Sequence, residues 1–212
     1  MTRIHFSQEL ESVRQDLIQM GETTVSLLGE VLHAVSGDGS ASAERASELE
    51  ARTDHQLRTI HDECLSLITL QAPVARDARL ITGILDAIVD LELIGDYCYE
   101  IVTICGTTKH RAPSPIVHQV SEIVSGIRSA LLTALGGWDQ KASPDLSVAP
   151  QVVAIRGECK ALYEKLSQLA AAPVDAMPYV NLLLICRHLD RIARHVACVA
   201  EQAANAAPAT RN

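Results

Sequence analysis

Aromatic residues are scarce in this chain: Phe, Trp and Tyr together make up 3% of its 212 residues. β-Strands are usually rich in aromatic and β-branched side chains. The apolar residues here are mainly Leu, Ile, Val and Ala, and Leu and Ala favour helices. The composition therefore predicts an all-α fold. A shortage of aromatic rings also removes the surface on which proteins stack single-stranded nucleic acid.

A surplus of basic residues is lacking as well, since the formal net charge is −8. Nucleic-acid binding depends on a basic face that neutralises phosphates and releases their counterions. An acidic chain of this kind is poorly suited to that task. We therefore expect no nucleic-acid partner.

Long apolar runs are also missing. The longest stretch without a charged residue, Cys64 to Ala75, is interrupted by Pro73, whereas a membrane-spanning helix needs about 20 mostly apolar residues. No apolar run precedes Glu9, so the N-terminus does not resemble a secretory signal. We expect a cytoplasmic protein without membrane insertion. Its six cysteines form no CxxC pair, and we expect them to be reduced and packed as small hydrophobes.

Apolar residues recur at three- and four-residue steps and predict helices. The predicted helices are about Ser7–Val35, Ser42–Gln71, Pro73 or Val74 to Cys105, Ile116–Leu135, Ala149–Ala171 and Tyr179–Ala204. Long helices joined by short turns lie antiparallel, and the proline-containing segment Gly106–Pro115 is the best domain boundary. We predict two tandem pseudo-symmetric three-helix bundles, in residues 1–107 and 113–206.

The third and sixth predicted helices carry a related pattern. Val89–Asp96 in the third and Arg187–His195 in the sixth share the order Leu, acid, any residue, Ile, small residue. A pattern repeated at equivalent places indicates an internal duplication.

Three acids of the first half are candidates for a shared site. Glu92 and Asp96 lie four residues apart and project from the same side of a helix. Asp54 precedes the turn at Ala72-Pro73 by about as many residues as Glu92 follows it, so it lies at a similar height on the antiparallel neighbour. Carboxylates in this arrangement can hold a hard cation. The other interpretation is a solvated acidic face with Lys or Arg partners.

At the same spacing in the second half lie Asp190 and Arg194. They can form an ordinary i,i+4 ion pair, and a guanidinium cannot ligate a cation. Asp190 is therefore the weaker metal candidate. His188 and His195 share another face, where we expect them to pack or to form hydrogen bonds.

Two motifs carry a family resemblance. Leu70–Leu80 resembles the turn pattern of the PhoU family, in which Pro-Val-Ala-Arg-Asp-Leu-Arg follows an apolar helix end. Asp90–Asp96 resembles the family's Asp-Leu-Glu-x-Ile-Gly-Asp, and Met20-Gly21 is typical of its first helix. The chain resembles the PhoU family over nearly its whole length.

The resemblance implies a non-enzymatic cytoplasmic regulator that limits phosphate uptake. It would act between a phosphate ABC transporter and a sensor histidine kinase, and it would form a homodimer. The resemblance also implies metal clusters at the acid-x-x-x-acid motifs, here a divalent or ferric ion in the first repeat. Arg76 and Arg79 are candidate contacts for phosphate or a partner protein, and they can equally be exposed helix charges.

The sequence departs from the family pattern in both repeats. Leu93 replaces the usual Arg, whereas Ala193 and Arg194 replace the Gly and the second acid. The turn at 173–178 has also lost its arginines. These changes weaken the case for a second metal site.

Two other functions compete with this interpretation. A di-iron bundle enzyme usually needs two Glu-x-x-His motifs, and the chain has one, Glu30–His33. The stronger alternative is a metal-free helical adaptor that binds only a partner protein. Metal analysis of protein without a histidine tag would separate it from the metal-binding regulator.

Overall fold

The structure is a computed structural model that describes residues 3–71, 73–107, 113–139, 145–171 and 176–207. These residues form helices and connecting turns with no β-strand, so the prediction of an all-α fold is confirmed. The helices are α1 (Arg3–His33), α2 (Gly39–Gln71), α3 (Ala75–Thr107), α4 (Ser114–Gly136), α5 (Val148–Ala170) and α6 (Met177–Ala206).

Glycine and proline set the helix boundaries much as the sequence predicts. A kink in the segment Ala34–Asp38 separates α1 from α2, and within it Gly37 has a φ of 120°. Glycine adopts this left-handed region without the steric cost that a Cβ brings. Proline lies in the first turn of both α4 and α6, where its missing N–H leaves no helical bond unmade. The predicted Pro173 break lies outside the described residues.

The helices pack in two groups of three. Each of α1, α2 and α3 contacts the other two, and α4, α5 and α6 do the same. We call these groups the first and second bundle. They meet through α3 against α6 and α1 against α4, and buried apolar side chains fill both. The predicted domain boundary at Gly106–Pro115 stays a prediction, because its residues 108–112 are outside the described part.

One buried cation joins the two bundles. Arg14 of α1 is 4% exposed. Its Nη1 donates to the backbone carbonyl of Trp138, which follows α4, at 2.8 Å. Its Nη2 donates to both carboxylate oxygens of Glu11. Buried charges are stable only when paired and hydrogen-bonded, and Arg14 obtains its partners from both bundles.

All six cysteines are free, as predicted. Burial raises the pKa of Cys64 to about 12 and that of Cys105 to about 11, so these thiols stay protonated at neutral pH and pack as apolar groups. Among the described helices, none has the length and apolar character that a membrane span requires.

Candidate metal centre

Three carboxylates meet where α2 packs against α3. Glu50 and Asp54 project from α2, and Asp96 projects from α3. Each offers an oxygen within 4.8 Å of the other two, and all three side chains are half-buried. We call Glu50, Asp54 and Asp96 the acidic cluster.

The structure brings two of the three predicted acids together but leaves Glu92 outside this 4.8 Å group. The reason is the tilt of every Cα–Cβ bond toward the N-terminus of its helix. On α2 that tilt points away from the connecting turn, and on α3 it points toward the turn. An α2 side chain therefore meets an α3 residue farther from the turn. Asp54 accordingly meets Asp96 and not Glu92, although Glu92 matches it in backbone height.

Glu50 is the member of the cluster that the sequence prediction missed. It lies four residues before Asp54, the same spacing that drew attention to Glu92 and Asp96. Two facing helices that each carry a pair of acids four residues apart are a pattern from which Glu50 could have been predicted. Height matching alone would have selected Glu50 as well, because it precedes the turn by about as many residues as Asp96 follows it.

Gly95 lets the two helices approach closely beside the cluster. A Cβ at this position would lie 3.1 Å from Oγ1 of Thr53 and 3.4 Å from Cδ1 of Leu27. Thr53 is buried, and its hydroxyl donates to the carbonyl of Glu50 at 2.8 Å. Gly95, the small residue of the motif, thus allows α3 to pack close to the part of α2 that carries Glu50 and Asp54.

The carboxylates of this region are electrostatically disfavoured. Burial raises the pKa values of Glu50, Glu92 and Asp96, and the negative charge of Asp54 raises all three further. Desolvation and like-charge repulsion both oppose the ionised form. A bound cation would relieve the repulsion.

One protein cation already touches the cluster. Nη2 of Arg58 donates to Oδ2 of Asp54 at 3.0 Å. The Arg58 side chain is 69% exposed, and exposed ion pairs of this kind contribute between nothing and about 1 kcal/mol. Arg58 can therefore swing away without a large energetic cost.

Asp90, the first acid of the motif, has a different role. Its Oδ1 lies 2.7 Å from Nδ1 of His195, and its Oδ2 accepts from Nε2 of Gln202 at 2.8 Å. Both partners lie on α6. Asp90 thus forms hydrogen bonds across the interface between the two bundles. His195 is a hydrogen-bonding group, as the sequence predicts.

In the second bundle the expected ion pair between Asp190 and Arg194 is replaced by another. Oδ1 of Asp190 accepts from Nε of Arg156 on α5 at 2.8 Å. A contact between facing helices cannot be read from spacing within one helix, so the sequence indicated the wrong arginine. Asp190 thus has a protein cation as its partner, and its place as the weaker metal candidate stays a prediction.

The two predicted contact arginines lie away from the cluster. Arg76 and Arg79 are exposed in the first turns of α3. Asp77 lies between them, where a negative side chain is favoured by the positive end of the helix dipole. Exposure leaves both guanidinium groups accessible to solvent or to a partner.

The donor set of the acidic cluster fits a hard cation. Carboxylate oxygens are the ligands preferred by Mg²⁺, Mn²⁺ and ferric iron. The three half-buried carboxylates are carried by two helices that pack against each other. Three negative charges within reach of one point would balance a divalent or trivalent ion. The site thus has the composition of a carboxylate metal centre on a helical hairpin.

Comparison with known proteins finds PhoU proteins that are similar to this chain in sequence and in fold. The model of the PhoU domain family matches residues 17–105. The "Phosphate-specific transport system accessory protein PhoU homolog" of Synechocystis sp. is 29% identical over 207 residues, covering 94% of this chain and 90% of that protein.

Two solved structures agree closely with this one. The regulatory protein PhoU of Streptococcus pneumoniae superposes with a TM-score of 0.85 at 22% identity, covering 93% of this chain and 94% of that one. PhoU of Pseudomonas aeruginosa gives a TM-score of 0.82 at 25% identity, covering 93% of this chain and 96% of that one. The class is thus a two-bundle all-α protein with a carboxylate cluster in its first bundle. The chain is similar to PhoU proteins over nearly its whole length, and the resemblance to the PhoU family that its motifs carry is confirmed.

Proposed function

We propose that this chain is a non-enzymatic regulatory accessory protein of phosphate transport. The observation that carries the proposal is the likeness, over nearly the whole chain, to a protein named as an accessory protein of the phosphate-specific transport system. The same role is supported by the fold that this chain shares with PhoU of Pseudomonas aeruginosa. The PhoU domain match covers the bundle that holds the acidic cluster.

In this proposal the protein works on the cytoplasmic side of the membrane as a negative regulator. It contacts a phosphate ABC transporter and a sensor histidine kinase, and it limits phosphate uptake when phosphate is plentiful. The exposed Arg76 and Arg79 on the first turns of α3 are candidate partner contacts. A homodimer is part of the same proposal and can be checked by analytical ultracentrifugation.

Gene deletion tests the regulatory role. Removing the gene should raise the expression of phosphate-starvation genes in cells supplied with ample phosphate. Unchanged expression of those genes would contradict the proposal. Complementation with the Arg76→Ala, Arg79→Ala double variant should restore regulation only in part if these arginines contact the partner.

The proposal includes a divalent or ferric ion held by Glu50, Asp54 and Asp96, with Glu92 beside them. Such an ion would supply positive charge that locks α2 against α3. The Arg58–Asp54 ion pair favours the alternative, a metal-free helical adaptor, because it gives one carboxylate a protein partner. Elemental analysis of the untagged protein separates the two: about one equivalent of metal supports the regulator with a metal centre, and none supports the adaptor.

A further inference from the structure

A basic cleft opens in the second bundle between α5 and α6. It has a volume of about 750 Å³ and is lined by Arg156, Lys160, Tyr163, Arg187 and Asp190, among others. Small-molecule sites commonly occupy about 300–1,000 Å³. The cleft is therefore large enough for an ion or a small organic ligand.

The charge of this cleft is opposite to that of the chain as a whole. Arg156, Lys160 and Arg187 face one carboxylate, Asp190, in a protein of net charge −8. Among the described residues no carboxylate lies within ion-pair distance of Lys160 or Arg187. Cations gathered around a common space repel one another, and an anion in that space would remove the repulsion.

Asp190 positions the guanidinium of Arg156. Nε of Arg156 donates to Oδ1 of Asp190 at 2.8 Å, and the hydrogen bond raises the pKa of the already basic Arg156. The guanidinium forms no other hydrogen bond with the described residues, and its side chain is 40% exposed. Its Nη groups are therefore open to a ligand. A planar fork of N–H donors binds phosphate oxygens in pairs.

The other groups of the cleft do not oppose an anion. Burial raises the pKa of the Cys159 and Cys186 thiols to about 12, so both are neutral at physiological pH. Tyr163 is 45% exposed and offers a phenolic O–H donor and a ring face. Donors and cations thus outnumber acceptors around the cleft.

We propose that the cleft between α5 and α6 binds the phosphate group of a small ligand, either inorganic phosphate or a phosphate ester. Arg156 supplies the paired N–H donors, while Lys160 and Arg187 supply positive charge from either side. This site goes beyond the regulatory role proposed above and does not depend on it. Nor does it require a metal in the first bundle.

Calorimetric titration of the full chain tests the site, with inorganic phosphate in one arm and ATP in the other. Arg187→Ala is the main variant, because Arg187 is exposed and forms no ion pair among the described residues. We expect binding about tenfold weaker than in the wild type, as loss of one charged contact predicts. Lys165→Ala, at an exposed position of α5 outside the cleft, should bind like the wild type.

Arg156→Lys separates fork recognition from simple charge attraction. It keeps the positive charge but removes the paired donors, so we again expect about tenfold weaker binding. Binding of phosphate itself identifies a free-anion site, and binding of ATP alone identifies an ester site. Failure of both ligands to bind would overturn the proposal, and so would equal affinity in the wild type, Arg187→Ala and Arg156→Lys.

Discussion

The motif on α3 ends in Asp96, whereas the equivalent motif on α6 ends in Arg194. Its apolar positions are unchanged in role: Leu91 and Ile94 in the first bundle and Leu189 and Ile192 in the second are all fully buried. The two copies thus agree at their buried apolar positions and differ at the polar position that ends the motif.

The difference shows which positions the fold constrains. A close-packed core loses stability with small changes in volume, so both copies keep similar apolar residues. Polar positions between two helices can exchange sign if the facing helix also changes. The first bundle gathers Glu50, Asp54 and Asp96, and the second faces Asp190 with Arg156. The proposed cation site and the proposed anion site thus lie in opposite halves of one fold.

The largest expected effect concerns metal binding by the two copies. Asp96→Asn removes one of three clustered carboxylates and should weaken binding of Mn²⁺ about a hundredfold, because affinity follows the number of charged ligands. Asp190→Asn should leave it unchanged. Calorimetry on the untagged protein measures both. Equal binding by the wild type and Asp96→Asn would show that the acidic cluster is a solvated face.

The next effect concerns the small residue of the motif. Gly95→Val should lower the free energy of unfolding by about 1–3 kcal/mol, since overpacking a tight contact has this effect. The added carbons would press on Thr53 and Leu27. Gly29→Val on α1 is the matched control, because a Cβ there meets no atom within 4 Å. Urea denaturation measures both, and similar losses in the two variants would contradict close packing at Gly95.

A smaller effect follows from the raised pKa values of the acids. Because the folded-state pKa of Glu92 lies above its unfolded value, the stability it contributes is present at low pH and is lost as pH rises through the folded pKa. Glu92→Gln should therefore stabilise the metal-free protein at pH 7 by a few tenths of a kcal/mol. The gain should disappear at pH 4. Thermal denaturation in the presence of a chelator measures it, and a destabilised variant at pH 7 would contradict the sign.

The smallest effect concerns the arginine that competes for Asp54. Arg58→Gln should tighten metal binding about twofold, because it frees a carboxylate from a weak exposed pair. Arg45→Gln is the matched control, since Arg45 pairs with Glu48 on the same helix with both side chains exposed. Weaker metal binding by Arg58→Gln than by Arg45→Gln would show that Arg58 supports the cluster instead of competing with it.

The sequence predicts the helices of this fold well and the partners of its polar groups only in part. Periodicity within a helix reveals which residues share a face, so α1 to α6 follow from apolar spacing and from breaks such as Gly37. A contact between helices also depends on the direction of side chains across the interface. Asp54 was matched to Glu92, and Asp190 was assigned to Arg194, for this reason.

The buried Arg14 has a consequence for the independence of the two bundles. Its guanidinium lies in α1, but one of its acceptors is the Trp138 carbonyl beyond α4. If the second bundle were cut away or unfolded first, Arg14 would lose its Trp138 acceptor, and the apolar surface of α1 that packs against α4 would be exposed to water. The two halves of the duplication are therefore energetically interdependent, and heating should melt them in one cooperative transition.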